Sequence, residues 1–209
     1  EIYGGSGDDT IIQSGSGTQH YDGGEGTDTY KLNTAAFGNV DHDIKVDLST
    51  GFSGLKDDPD HVLNDTLTNI ENVDFSNVNW DLVLNGDENA NILKGGTGND
   101  TIDGGAGDDE IYGGSGDDTI IQSGSGTQHY DGGEGTDTYK LDTTSFGDVD
   151  IDVKVDLSTG FSGLKDDPDH VLNDTLTNIE NVDFSDVSWD LVLNGDANAN
   201  ILKGGTGND

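Results

Sequence analysis

The chain has 209 residues, of which 33 are glycine, and a formal charge of −35 that comes from 43 acidic residues against eight lysines and no arginine. Only 30% of its residues are apolar, glycine left aside, against about 45–50%, glycine included, in ordinary globular domains. Nucleic acids and anionic membranes require clustered cations, and no segment is apolar enough to span a bilayer, so composition excludes nucleic-acid binding and direct membrane insertion. It indicates cations as partners.

Two near-identical copies make up the chain. A shift of 109 residues aligns residues 1–100 with 110–209, and nine of the hundred pairs differ. Self-similarity at a fixed period predicts a repeat architecture. We therefore divide the chain into copy 1 (1–100), a segment that completes the period (101–109) and copy 2 (110–209), and we expect it to belong to a longer array.

Copy 1 opens with rows of nine residues over 1–31. The rows GGSGDDTII and GGEGTDTYK have the pattern G-G-x-G-x-D-x-U-x, in which U is a large apolar residue. Between them, SGSGTQHYD follows one extra residue, Gln13, and carries Gln in place of Asp. Glycines permit the positive φ of a tight turn, so each row predicts a six-residue turn followed by a three-residue strand.

The middle segment of copy 1 (32–85, equivalent to 141–194 in copy 2) contains no such rows. Alternating apolar and polar residues predict strands over Ile44–Leu48, Thr66–Phe75 and Trp80–Leu84. We expect wider, irregular coils that continue the same solenoid, because 54 residues make a poor independent core; a small inserted β-sandwich is the alternative. We interpret the acidic stretch Asp57–His61, and its copy Asp166–His170, as a solvated loop rather than an additional metal site.

Rows resume over 86–100 and continue through 101–109 into copy 2. GDENANILK is a degenerate row, whereas GGTGNDTID, GGAGDDEIY and GGSGDDTII match every fixed position. Copy 2 then repeats the plan, with rows over 110–140, the middle segment over 141–194 and rows over 195–209. No helical periodicity is present, so the expected class is all-β. The apolar positions predicted to form the core are Ile11, Tyr21, Tyr30, Leu93, Ile102, Ile111, Ile120, Tyr130, Tyr139 and Leu202.

The stacked turns predict a cation site. If two rows make one coil, turns on the same side stack about 4.8 Å apart and place one Asp above another. Two carboxylates at that spacing repel by about 1 kcal/mol in water and by roughly 3–4 kcal/mol at an effective dielectric near 20. A hard divalent ion removes this repulsion, and ligand sets made only of oxygen favour calcium over zinc or copper.

Rows such as GGTGNDTID and GGAGDDEIY resemble the hemolysin-type calcium-binding (RTX, repeats-in-toxin) nonapeptides. The resemblance implies a right-handed parallel β-roll, or β-solenoid, that is secreted by a type I system and folded by extracellular calcium. It also implies that each ion lies between turns two rows apart. The lower turn then provides the carbonyls of its second and fourth residues and its Asp, and the upper turn those of its first and third residues and its Asp.

Carried over to this chain, the resemblance implies calcium sites on both sides of the roll. On one side of the roll, the implied ligands are Gly96, Gly98, Asp100, Gly113, Ser115 and Asp118 for one site and Gly114, Gly116, Asp118, Gly132, Glu134 and Asp137 for the next. The equivalent ligands in copy 1 are Gly5, Gly7, Asp9, Gly23, Glu25 and Asp28. On the opposite side, the implied ligands are Asp87, Asn89, Asn91, Gly104, Ala106 and Asp109, followed by Gly105, Gly107 and Asp109 below Gln128. Asp209 supplies half of a further site. The site that contains Gln128 is expected to be the weakest.

Two functional hypotheses follow. The first is a structural repeat of a secreted or cell-surface adhesin, surface-layer or fibre protein, in which calcium rigidifies a long array. The second is a calcium-folding accessory module of a secreted protease, lipase or alginate epimerase. An ice- or glycan-binding face is a weaker third idea, because the outward positions lack regular Thr or aromatic rows. We expect no enzymatic activity, since no nucleophile arrangement or isolated carboxylate pair is present.

Assembly is the last expectation. The first three residues and the last six residues together make one complete nonapeptide row. We therefore expect neighbouring copies to stack end to end in calcium, with ions at the junction.

Overall fold

A computed structural model describes residues 1–15, 17–36, 43–56, 64–146, 152–164 and 173–209. Strands and turns dominate these residues, and their helical elements are short 3-10 segments at Thr34–Ala36 and Thr143–Ser145. In this part of the chain no helix is long and apolar enough to cross a membrane. The acidic loops Asp57–His61 and Asp166–His170 lie outside the described residues. The expected all-β class is confirmed.

The two copies contribute equivalent series of strands. Residues 1–109 contain β1 (Ile2–Ser6), β2 (Thr10–Gln13), β3 (His20–Glu25), β4 (Thr29–Leu32), β5 (Ile44–Asp47), β6 (Phe52–Leu55), β7 (Asn64–Thr68), β8 (Asn72–Asp74), β9 (Leu82–Asn85), β10 (Ile92–Lys94) and β11 (Thr101–Asp103). Copy 2 contains β12 (Glu110–Ser115), β13 (Thr119–Gln122), β14 (His129–Glu134), β15 (Thr138–Leu141), β16 (Val153–Asp156), β17 (Phe161–Leu164), β18 (Asn173–Thr177), β19 (Asn181–Asp183), β20 (Leu191–Asn194) and β21 (Ile201–Lys203).

The strands form two sheets. One has 11 strands in the order β1-β3-β7-β6-β5-β9-β11-β13-β15-β19-β21, and the other has 10 in the order β2-β4-β8-β10-β12-β14-β18-β17-β16-β20. Strands of the rows pair in parallel, and Thr101 opposes Thr119, two rows further on. Two rows therefore make one coil with a strand in each sheet, so the expected parallel β-roll is confirmed.

The extra residue Gln122 does not disturb the ladders. Its side chain is 1% exposed, and its Nε2 donates to the carbonyl of Gly124 at 2.5 Å. The hydroxyl of Tyr130 contacts its Oε1. The ladder between β12 and β14 absorbs the insertion by pairing Glu110 with His129, one residue further along than two rows would give.

A single core runs between the sheets. Side chains alternate along each strand, so the U position of every row points inward; Ile102, Ile111 and Ile120 are fully buried. Burying each such side chain stabilises the fold by about 1.5–3 kcal/mol. The predicted core positions are buried except Leu202, which is 37% exposed because β21 is the edge strand of its sheet.

The middle segment is hydrogen-bonded into both sheets. In copy 1, β5, β6 and β7 form an antiparallel meander. Its outer strands continue the roll, since β7 pairs with β3 and β5 with β9, both in parallel. In the opposite sheet, β8 alone bridges β4 and β10. The segment thus adds four strands, β5, β6, β7 and β9, to one sheet and β8 to the other.

The prediction of one strand over Thr66–Phe75 is wrong. The chain forms β7 in one sheet and β8 in the other, with a corner at Asn69. The φ of Asn69 is 50°, a left-handed conformation that cannot continue a strand. Its side-chain amide donates to Asp22 Oδ1 at 2.8 Å and holds the corner. The alternation of apolar and polar residues, on which the prediction is based, does not indicate this corner.

Successive copies face opposite sides of the roll. The meander β5–β7 lies in the 11-stranded sheet, whereas its equivalent β16–β18 lies in the 10-stranded sheet. The same exchange applies to β3 and β14, which have identical sequences. Equivalent features of the two copies therefore lie on opposite faces of the roll.

Candidate metal centre

Stacked turns direct backbone carbonyls into the gap between them. Gly133 and Gly135 lie above the carbonyls of Gly114 and Gly116, and a Cβ at either upper glycine would stand within 3.0 Å of the oxygen below. The carbonyl of Gly132 points in the opposite direction, toward Gly113. The carbonyl of Glu134 also points down, where it accepts the N–H of Gly116 at 2.8 Å.

These directions coincide with the ligand pattern that the resemblance implies. Oxygens of the second and fourth residues of the lower turn point up, and those of the first and third residues of the upper turn point down. The equivalent turns of copy 1 repeat the arrangement, with upward carbonyls at Gly5 and Gly7 and downward carbonyls at Gly23 and Glu25.

The sixth residue of each turn adds a carboxylate. Oδ1 of Asp137 accepts the backbone N–H of Asp118 at 2.8 Å, and Oδ1 of Asp118 accepts that of Asp100 at 2.7 Å. The second oxygen, Oδ2, is buried without a hydrogen-bond partner in both Asp118 and Asp137, and also in Asp9, Asp28 and Asp109. A buried carboxylate oxygen without a partner is costly, so the position of these atoms suits a cation-binding site.

The pKa values of these carboxyls show how unfavourable their charge is without a cation. Burial raises the pKa of Asp100 and Asp109 to about 7 and that of Asp118 and Asp137 to about 6. Neighbouring carboxylates raise these pKa values further, whereas backbone N–H donors lower them. A divalent ion in the gap would reverse the shift by favouring the charged form.

The donor set fits calcium. Across the described residues, no three Asp, Glu or His side chains converge as a metal-binding group. The gap between turns 113–118 and 132–137 combines carbonyls with two carboxylates instead, and all of these donors are oxygens. Calcium accepts six to eight oxygen ligands in flexible geometry, whereas magnesium demands a near-ideal octahedron.

The gap below, between turns 95–100 and 113–118, is similar. The carbonyls of Gly96 and Gly98 point up and that of Gly113 points down. Oδ2 of Asp100 already accepts the N–H of Gly96 at 2.9 Å, and the carbonyl of Gly96 accepts the N–H of Ser115 at 2.9 Å. Its lower carboxylate is therefore less free than that of the gap above, where Oδ2 of Asp118 has no partner.

The opposite side of the roll is less complete. Asn91 uses its amide locally, since Oδ1 accepts the N–H of Asp87 at 2.8 Å and Nδ2 donates to the carbonyl of Glu71 at 2.7 Å. Carbonyls of Asp87 and Asn89 point up toward Gly105 and Gly107, and that of Gly104 points down, whereas no contact orients the carbonyl of Ala106.

One level higher, Gln128 replaces the acid. Its Oε1 accepts the N–H of Asp109 at 2.7 Å, and its Nε2 is buried without a partner. Carbonyls of Gly105 and Gly107 point toward Gly124 and Gly126 of this turn. An amide donor inside the gap opposes a cation. At the other extreme of the roll, Asp209 is exposed, with its Oδ2 beside Gly204.

Gly114→Ala is expected to destabilise the protein far more than Gly5→Ala. Both glycines have a φ of 114°, so alanine costs about 1–2 kcal/mol at either position. A Cβ at Gly114 would also collide with the carbonyl of Gly96, whereas Gly5 has open space. Thermal unfolding in excess calcium measures the difference. Equal losses of stability would show that turns 95–100 and 113–118 are not in contact.

The predicted ligands do not include two acids of the middle segment that join the stacks of turns. Oε2 of Glu71 accepts the N–H of Asp28 at 2.7 Å, and Glu180 binds Asp137 in the same way at 2.8 Å. Asp65 and its equivalent Asp174 accept the N–H groups of Gln19 and Gln128. These acids replace the sixth-position Asp of a row. No local spacing reveals them, because their partners lie 43 or 46 residues away.

Comparison with known families gives one match. The family model of the RTX calcium-binding nonapeptide repeat matches residues 85–120 and 192–209, in four copies. No curated protein matches the chain.

Proposed function

Because the chain carries RTX nonapeptide repeats, which bind calcium ions, we propose that it is a structural segment of a secreted or cell-surface protein of the adhesin, surface-layer or fibre type. The RTX repeat is a structural calcium-binding repeat rather than a catalytic one. In this proposal a type I system exports the chain, and extracellular calcium folds and rigidifies its roll.

The proposed ions lie in the gaps between stacked turns. The strongest gaps combine two carboxylates, of which the lower has an unpartnered Oδ2: those between Asp118 and Asp137 and between Asp9 and Asp28. The gap between Asp100 and Asp118 follows. The gaps that include Asn91 or Gln128 are weaker, because an amide replaces one carboxylate.

The observation that carries the proposal is the junction between copies. The last strands of the first period pair in parallel with the first strands of copy 2, Leu93 with Ile111 and Ile102 with Ile120. The core and both ladders therefore pass from one 109-residue copy to the next without a break. Adding a copy lengthens the same roll, which favours an extended array over the alternative of a terminal accessory module of a secreted enzyme.

A comparison of proteins with one, two and four copies tests the proposal. The 11-stranded sheet spans two copies, so each pair of copies is expected to add roughly 53 Å of rod at about 4.8 Å per strand. Electron microscopy and small-angle scattering in calcium measure this increment. Copies that behave as beads on a flexible chain, with no constant increment, would contradict it.

The same junction suggests the partner. Neighbouring copies are proposed to stack end to end, as the two copies of this chain do, with calcium in the gaps at each boundary. Growth of this two-copy chain into longer rods in calcium, seen by light scattering and reversed by chelator, is the expected sign of that stacking; a chain that stays monomeric at high protein and calcium concentrations would contradict it.

A further inference from the structure

We propose a calcium site outside the nonapeptide pattern, where the roll passes into the middle segment. It lies between turn 23–28 and the corner Asn69–Glu71, and it recurs between turn 132–137 and Asn178–Glu180. The identity of the ion rests on the proposed function, whereas the site is built from residues that no nonapeptide contains.

The first observation is a buried carboxylate that faces this gap. Asp28 and Asp137 are 0% exposed, and Oδ2 of each has no hydrogen-bond partner. A Cβ at Gly23 would meet both Oδ2 of Asp28 and the carbonyl of Asn69 within 3.0 Å. The unpartnered Oδ2 and the carbonyl oxygen of Asn69 therefore lie close together beside Gly23. Gly132 has the same relation to Asp137 and Asn178.

The second observation is that Asn69 reproduces the first glycine of an upper turn. In a regular gap, that glycine points its carbonyl down at the first glycine below, as Gly132 does at Gly113. Asn69 does so from a left-handed φ of 50°, and Asn178 from 51°. Such a conformation costs energy for a non-glycine residue and persists where its surroundings enforce it. The bond from Asn69 to Asp22 Oδ1 supplies this enforcement.

The third observation is that Glu71 reproduces the sixth-position Asp. It follows Asn69 by two residues, whereas Asp follows the first glycine of a row by five. Its longer side chain nevertheless reaches the N–H of Asp28, the group that Asp137 binds in Asp118 one level below in copy 2. The corner is shorter than a regular turn and its acid is longer. It thus presents a carbonyl and a carboxylate, as the first and sixth residues of a regular upper turn do.

The lower turn completes the donor set. Gly24 and Gly26 have φ values of 105° and 143°, in the same left-handed region as Gly5 and Gly7, whose carbonyls point up. The site would combine the carbonyls of Gly24, Gly26 and Asn69 with two carboxylates. Five oxygens with two negative charges, completed by water, suit calcium.

The opposite side of the middle segment provides a contrast. Asp65 and Asp174 also accept the N–H of a sixth residue, at 2.7 and 3.0 Å. That residue is Gln19 or Gln128, so no second carboxylate faces the gap. We therefore expect an ion beside Glu71 and Glu180 and none beside Asp65 and Asp174.

The experiment compares Glu71→Gln/Glu180→Gln with Asp65→Asn/Asp174→Asn in calcium titration calorimetry of the full chain. Both double variants keep an amide oxygen that can accept the backbone N–H of the sixth turn residue, so both retain this structural hydrogen bond. The Glu doubles are expected to bind two ions fewer than wild type, each Glu single one fewer, and the Asp doubles the same number as wild type. Equal stoichiometry in wild type and the Glu doubles would overturn the site.

Crystals of the wild-type protein in calcium provide the second measurement. An anomalous difference map at long wavelength is expected to show a peak between Asp28 Oδ2 and the carbonyl of Asn69. If the Glu variants fail to fold, the test rests on this map. Peaks in the nonapeptide gaps without a peak at Asn69 would overturn this inference and leave the proposed function intact. A wild type that binds no calcium overturns the proposed function instead.

Discussion

Replacing Asp118 with alanine is expected to remove two calcium ions from the protein. Its carboxylate lies between two stacked gaps, with Asp100 below and Asp137 above. An occupied site contributes about 2.7 kcal/mol when free calcium is 100 times its dissociation constant, so the two sites together represent about 5 kcal/mol. A loss of this size equals much of the stability of a typical domain, about 5–15 kcal/mol.

Asp109→Ala is the matched control for this substitution. Asp109 is as deeply buried as Asp118, 1% exposed in both cases, and its Oδ2 is likewise unpartnered. Its neighbours in the stack are amides, Asn91 below and Gln128 above. Replacing Asp109 should lower the free energy of unfolding by at most about half as much as replacing Asp118, because weaker calcium sites contribute less to stability.

Calorimetric titration with calcium, followed by unfolding in excess calcium, compares the two variants. The expected order is a larger loss of ions and of stability for Asp118→Ala. Equal losses would show that burial of a carboxylate, rather than its position between two acidic turns, determines the effect.

The parts of the fold that repeat locally could be predicted from sequence. The rows place an apolar residue every nine positions, so the core positions from Ile11 to Tyr139 and the two-row coil follow from periodicity. Leu202 differs only because β21 has no neighbour beyond it. The turn carbonyls follow in part, since glycines at fixed offsets permit the positive φ that most second and fourth turn residues adopt, although Gly96 and Gly98 do not.

The middle segment could not be predicted in the same way. The outer strands of its meander pair with residues far along the chain, since Leu67 opposes Tyr21 and Lys45 opposes Val83. The corner at Asn69 depends on a tertiary bond to Asp22, 47 residues away. The exchange of sheets between copies follows from the odd number of times that each period crosses from one sheet to the other, which the nine-residue period alone does not reveal.

Folding of the chain is expected to require calcium. The unfolded chain carries a net charge of −35 and few apolar residues, a composition that opposes compaction. In the roll, the same acids are stacked and buried, and their raised pKa values record the cost of keeping them charged. Each calcium ion offsets two charges and, at the proposed sites, would fill a gap between turns, so its binding free energy would become folding free energy.

Far-UV circular dichroism with small-angle scattering, in chelator and then in millimolar calcium, tests this claim most directly. In chelator, we expect a disordered spectrum and a radius of gyration approaching the roughly 50 Å of an unfolded chain of this length, against roughly 17 Å for a compact one. Calcium should restore a β spectrum and contract the chain cooperatively, while magnesium at the same concentration should not. A β spectrum and compact dimensions that persist unchanged in chelator would contradict the account.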